Sequence, residues 1–436
     1  MDSGRTVKER AQQSANPNRK NPFEGGIDRR RLLRSSAAVG AVTAIGGCLG
    51  DDDVGVDRTP TVYAFNTGDR TVTVIDVEED EALETVHIDT TASFPANQYG
   101  TGADSTYDVL WLNVSGGVTA LDAHSLEEVA SVETGFGPNY PNLSPDEDHL
   151  IVAAGGTTTL DPDPDDPGDH VIIRIDADPE SDGFGEVTGE ISTGYTGPCD
   201  ATLGPNGEYA LVPEIADETL RVVSVDPFET AAEIDVGEPV GEGDVLPFMA
   251  TASFDGEFLL VENGEGDLGS DPDVPREGSE SIWDISAPEE PEELERITRD
   301  DGLPAAPITS EVSPDSKAAY LFTPGDDSVT VIDLEERTVD RLLDVGGSAL
   351  SGTWGPNREK LYVPVQTANH VAVIEHALRE VVTTIDVGES PTGAVAGMVR
   401  PETSTAQRIR GSIAALGVEF GDREMTYCPE DNCYCG

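Results

Sequence analysis

The chain has 436 residues, 26 Lys and Arg against 85 Asp and Glu, and a formal net charge of −59. That excess of acid excludes nucleic-acid binding, which needs a basic face, and at low salt its self-repulsion opposes any compact state. With 37 % apolar residues and clear patterning the chain is no disordered acidic tail; because molar salt shortens the Debye length to about 3 Å, the composition fits a globular protein adapted to brine.

The first 47 residues differ from the rest, holding nine cations and four acids and leaving 17 cations against 81 acids downstream. Here Arg29, Arg30 and Arg31 precede Leu32 and Leu33, and a small-residue, weakly apolar run follows from Ser35 to Gly47. That run is too short and too rich in Gly and Ala to span a bilayer. The order resembles a twin-arginine export signal, with Arg29, Arg30, Leu32 and Leu33 in the signal positions, although Asp28 stands where such signals carry Ser or Thr. Ile45-Gly46-Gly47-Cys48 resembles a lipobox, which implies cleavage before Cys48 and a lipid on its sulfur. The expected organisation is a signal peptide over 1–47 and an acidic tether over 48–60, with the mature protein exported and anchored to the outer face of the cytoplasmic membrane. One lipid chain binds membranes only marginally, so firm anchoring needs a second. No other segment reaches 18 consecutive apolar residues.

From residue 61 the chain repeats itself. "TVTVIDVEED" at 71–80 returns as "SVTVIDLEER" at 328–337, and degraded forms end on Asp122, Asp176, Asp226, Asp284 and Glu375. These seven phrases lie 42 to 58 residues apart. Upstream of most of them stands a turn such as "SPDEDHL", "GPNGEYA" or "GPNREKLY", then a short apolar run such as "VLWLNV", "YALVP" or "FLLVEN". Each unit therefore holds four short β-runs, and no stretch keeps a helical period. Four strands per unit, seven times over, predicts an all-β fold: a seven-bladed β-propeller of four-stranded blades over 61–400.

The runs "VYAFN" and "LYVPV" resemble the namesake motif of the YVTN β-propeller repeat family, of the kind found as exported lipoproteins in halophilic archaea. In that family the segment after each "VG" turn forms the innermost strand of the next blade. The last such segment, "VGESPTGAVAGMV" at 387–399, has no eighth blade to enter, and the first unit lacks an inner strand. Donation of 391–398 to blade one is thus expected to close the ring and remove two exposed sheet edges.

Propeller ligands bind at the central channel, lined by inner strands. Those segments are "SFPANQYG", "GPNYPNL", "GPCDATL", "LPFMATA", "AAPITSEV", "SALSGTW" and "SPTGAVAG", and none contains a histidine. The ligands of copper or haem propellers and the base of a Ser-His-Asp hydrolase are therefore missing from them. The candidate channel residues are Asn139, Tyr140, Cys199, Asp200, Met249 and Trp354, a lining suited to a small polar ligand or sugar. Cys199 and Met249 are either soft metal ligands or buried filler.

No cofactor is required by the pattern. Asp161, Asp163 and Asp165 in "DPDPDDPGDH" offer carboxylates that could gather around Ca²⁺, against the plainer reading of a solvated acidic loop; the loop at 262–281 is similar. Asn113-Val114-Ser115 and Asn142-Leu143-Ser144 fit the glycosylation pattern. In the extension 401–436, Cys428, Cys433 and Cys435 form either a disulfide, Cys428 with Cys433 or Cys435, which leaves one cysteine over with Cys199 as a distant candidate partner, or a three-thiolate Zn²⁺ or Cu(I) site completed by Cys199 or solvent. No complete catalytic constellation is present. The expectation is a cell-surface binding or scaffolding protein whose partner is another surface protein or a small extracellular ligand, touching the membrane only through its anchor. The alternative is a channel enzyme, a lactonase-like hydrolase or copper oxidoreductase.

Overall fold

The computed structural model describes residues 58–88, 90, 92, 94–96, 108–114, 116–134, 138, 140–154, 170–240, 243–266 and 277–417, and the structure below is that of these residues. Seven antiparallel sheets follow one another along the chain. Blade one joins Thr61–Asn66, Thr71–Asp76 and Glu81–His87 to an inner strand from the far end of the chain, Pro391–Gly397. Blade two comprises Val109–Val114, Gly117–Asp122 and Glu128–Glu133, with Ala96 at its inner edge donating its amide to the Trp111 carbonyl at 2.9 Å. The inner and second strands of the remaining blades are Asn142–Leu143 with His149–Ala154, Thr202–Leu203 with Tyr209–Glu214, Asp244–Ala252 with Phe258–Gly266, Thr309–Val312 with Ala318–Thr323, and Thr353–Trp354 with Lys360–Val365. Third and outer strands follow each pair, so every one of these five sheets has four strands. The seven-bladed propeller is the fold the repeat predicts.

The repeated phrase explains itself strand by strand. In blade one Val72 and Val74 enter the core shared with blade two, while Ile75 enters the core shared with blade seven. Period-two alternation thus feeds both neighbours at once. The closing acid caps the hairpin to the outer strand: Asp76 Oδ1 accepts from the amides of Glu78 and Glu79, and Asp333 Oδ1 from those of Glu335 and Glu336. Such Asx turns supply the partners that the turning backbone lacks. The "SPD" and "SFD" turns work alike, Ser144, Ser253 and Ser313 each accepting an amide from five residues on.

Seven apolar cores lie between consecutive blades, the seventh joining blade seven to blade one through Val62, Ala64, Tyr362 and Val373. Pro391–Gly397 pairs antiparallel with Thr61–Asn66, which closes the ring as expected and leaves blade one no bare inner edge. A polar clasp helps: Asp80 of blade one accepts from Lys360 Nζ at 2.6 Å and from the Tyr362 hydroxyl at 2.7 Å.

The chain then turns into the helix Thr405–Ala414, whose N-terminus is satisfied by a capping box between Ser404 and Gln407. Gly411 approaches the outer strand of blade one so closely that a Cβ there would lie 2.6 Å from the Thr85 carbonyl. No helix among the described residues is long and apolar enough to cross a membrane.

Candidate functional site

The inner strands are stitched together all the way round. Thr392 Oγ1 of blade one donates to the Ala92 carbonyl (3.4 Å), and Asn113 of blade two donates through its amide group to the Pro138 carbonyl (3.3 Å). Asn142 of blade three accepts from the Leu203 amide (3.3 Å), and Asp200 of blade four accepts from Ala250 (3.0 Å). Thr251 Oγ1, Thr309 Oγ1 and Ser351 Oγ then donate to the carbonyls of Ser310, Leu350 and Thr392 at 2.9, 2.7 and 2.9 Å. One side-chain bond thus crosses every one of the seven blade junctions. Asn113 and Asn142 are buried in this ring, so neither is a surface acceptor for a sugar.

At the leading ends of the inner strands six blades contribute to one apolar cluster that includes Phe94, Tyr140, Cys199, Phe248, Met249 and Leu350. The Phe94 and Tyr140 rings meet at 5.4 Å. Of the candidate channel residues the structure therefore brings Tyr140, Cys199 and Met249 together, and Asp200 adjoins them through a bridge to Tyr140. Trp354 is not with them. It packs against Tyr320 at 5.6 Å and His376 at 5.7 Å, between blades six and seven. The reason is reach: Trp354 follows Leu350 by four residues of extended chain, which carries it roughly 13 Å along the strand. Cys199 is disulfide-bonded, with its partner outside the described residues, so its sulfur is no free thiolate for a metal. Asn139, Asp161, Asp163, Asp165, Cys428, Cys433, Cys435 and the export and lipid residues Arg29, Arg30, Leu32, Leu33 and Cys48 also lie outside the described residues.

Asp200 is buried, and burial pushes its carboxyl up to about 7, against the pull of amide hydrogen bonds from Ala250 and Ala201 (3.0 and 2.6 Å). Next to it along the ring lies a group from the acidic stretch 262–281, expected above as a loop; the structure places its two ends on the strands Phe258–Gly266 and Glu277–Asp284. Glu262 and Glu280, on the second and third strands of blade five, stand directly opposite each other. Both are 0 % exposed. They share a face with Leu260 and Ile282, which pack against blade six, and Ser310 shares a face with Val312, which packs back against blade five. Burial pushes the Glu262 carboxyl up to about 8; the facing Ser310 hydroxyl opposes this and the Asp200 charge adds to it. Burial and then the Glu262 charge raise Glu280 and Glu311 well above the carboxylate range. The four carboxylate oxygens of Glu262 and Glu280, and Ser310 Oγ, form no hydrogen bond of normal geometry.

The signal for this pair was present in the repeat. In the same cross-strand register the other blades place Phe65, Asn113, Ala153, Pro213, Phe322 and Pro364 where blade five has Glu262. Opposite them stand Val72, Val118, Ile172, Leu220, Val329 and Val371 in the place of Glu280. Only blade five puts a charge in that pair.

No family model matches this chain, and no curated protein matches it. Solved structures are similar to it in fold. Hydrazine synthase from Kuenenia stuttgartiensis is 17 % identical, with 76 % of this chain and 99 % of that chain covered at a TM-score of 0.57. A periplasmic gluconolactonase from Pseudomonas aeruginosa is 15 % identical, with 78 % and 99 % covered at 0.58. A functionally unknown protein from Desulfotomaculum acetoxidans is 16 % identical, with 78 % and 100 % covered at 0.56. At such identities the likeness concerns the seven-bladed β-propeller fold alone, a scaffold that hosts unrelated functions.

Proposed function

We propose that this chain is an exported, lipid-anchored β-propeller that binds a partner protein or a small ligand at the outer face of the cytoplasmic membrane. The observation that carries this reading is the stitched ring: the polar side chains of the inner strands, which channel chemistry would draw on, hold one blade to the next. Binding then falls to the rims and loops, where the blades differ from one another. Export is assigned to Arg29, Arg30, Leu32 and Leu33, and lipid attachment to Cys48. In a host that grows in molar salt, Cys48→Ser is expected to release the protein from the membrane fraction into the medium. Replacing Arg29 and Arg30 by Lys is expected to leave an uncleaved precursor inside the cell. Retention of Cys48→Ser on the membrane would end the anchor reading. The acidic composition adds a second test: dialysis below roughly molar salt should abolish the β-sheet circular dichroism signal, because screening fails.

A channel hydrolase is the second reading. Asp200, pushed up to about 7, lies in the range of a general acid, and one similar structure is named a periplasmic gluconolactonase. Against it, amides already hold both Asp200 carboxylate oxygens. Lactone hydrolysis by the purified propeller, abolished in Asp200→Asn with the fold intact, would replace the binding reading with this one.

A further inference from the structure

We propose that Glu262 and Glu280 hold a hard divalent cation of the Ca²⁺ type between blades five and six, with the Ser310 hydroxyl as a further ligand. Three observations converge. The two glutamates are directly opposite on adjacent antiparallel strands, a placement that sets Cβ atoms about 4.5–5.5 Å apart, so both carboxylates reach one point. Neither carboxylate forms a hydrogen bond of normal geometry although both residues are 0 % exposed. Ser310, on a different blade and buried too, turns toward Glu262 a hydroxyl that forms no hydrogen bond of normal geometry. At the place of Ser310 the register puts Ala250 in blade five and Ala394 in blade one, so an unpaired hydroxyl here is as much a departure from the repeat as the glutamates are.

A buried carboxylate without a partner is penalised by several kcal/mol, and the other blades avoid the penalty with aliphatic side chains at the position of Glu280. A divalent cation offsets it in blade five: two carboxylates balance its charge, and each orphaned oxygen gains a partner. Carboxylate and hydroxyl oxygens with no His or Cys among them form a hard donor set, which selects Ca²⁺ or Mg²⁺ over copper or zinc. Of the two, Ca²⁺ accepts bidentate carboxylates in irregular geometry, as a paired-strand site would offer, whereas Mg²⁺ demands a near-ideal octahedron. No three His, Cys, Asp or Glu side chains among the described residues converge on a metal, so the remaining ligands would be hydroxyl, carbonyl or solvent oxygens. The ion would clamp the tall hairpin of blade five, with strands Phe258–Gly266 and Glu277–Asp284, to the inner strand of blade six. This site is independent of the binding function proposed above and stands or falls separately.

The test uses the full folded chain in molar KCl, so that screening by monovalent salt is constant. After refolding in chelator, CaCl₂ is expected to raise the unfolding temperature and to slow amide exchange within 258–266, 277–284 and 309–312. Elemental analysis should find one more Ca²⁺ per chain in the wild type than in Glu280→Gln. Affinity should fall about tenfold or more in Glu262→Gln and in Glu280→Gln. Equal Ca²⁺ retention by wild type and variants would overturn the proposal. So would exchange protection confined to other strands, or a thermal shift that NaCl reproduces at matched ionic strength. Should the variants fail to fold, the exchange map of the wild type decides alone.

Discussion

Blades four and five each bury a glutamate on the second strand, and the two could hardly be treated more differently. Glu214 receives Arg221 through both Nε (2.8 Å) and Nη2 (3.0 Å), and the hydroxyls of Thr196 (2.7 Å) and Thr219 (3.0 Å). Glu262, equally inaccessible, has none of this. Asp200 lies between the extremes, held by two amides but by no cation. The lesson is that burial alone does not make a carboxylate functional. Where the fold supplies a guanidinium and hydroxyls, the acid is structural; where the fold supplies no cation and no well-formed hydrogen bond, the missing partner must come from a proton or a ligand.

That contrast can be broken at several points. The largest effect is expected from Arg221→Met, which strands Glu214 in the core. A loss of about 3–5 kcal/mol is typical when one member of a buried pair is removed, read by denaturant unfolding at constant molar salt. A loss below 1 kcal/mol would show that blade four tolerates a bare carboxylate as blade five does.

Asp200 gives the next effect, through pH. Its folded pKa, about 7, is raised from 3.8, so the native state binds the proton more tightly than the unfolded chain. Its contribution is therefore complete below about pH 4 and is lost as pH rises through about 7, a change on the order of 4 kcal/mol. The stability difference between wild type and Asp200→Asn should follow that slope at fixed salt, and a flat difference would place the ionised form at ease in the ring. Smaller again is Glu280→Val, which restores the residue that blades one, two, six and seven carry there. In chelator it should stabilise by about 1–3 kcal/mol, since an orphaned polar group is exchanged for one that packs; destabilisation would mean that the glutamates support blade five without a cation. The smallest effect belongs to the surface. Asp340 bridges Arg341 (3.1 Å) and Arg379 (2.8 Å), the Arg379 hydrogen bond foremost in holding its carboxyl below the usual range. Asp340→Asn should nonetheless cost less than about 1 kcal/mol, and less still as salt is raised.

Much of the fold was legible in the sequence, and little of the site was. "SVTVIDLEER" announced a third strand and its turn because alternation and Asx capping act within ten residues. The candidate channel list was drawn by membership of inner strands, which is why it took in Trp354 together with Tyr140. An inner strand is longer than the cluster at its leading end, and membership says nothing of height. Glu262 and Glu280 were read only as members of an acidic loop at 262–281: among 85 acids nothing local marks these two as facing residues on second and third strands. Seven units aligned in register would have singled them out.

The sequence by itself determined seven blades, their strand order and the return of Pro391–Gly397 to blade one, because each of these follows from local alternation, turn chemistry and the count of repeats. Only the tertiary structure decided which groups meet across a junction: Asp200 with the Ala250 amide, Trp354 with Tyr320, and Ser310 with Glu262. Those contacts join residues 34 to 50 positions apart on different blades. They depend on the height and facing of each strand within the closed ring, which no stretch of chain specifies until its neighbours are in place.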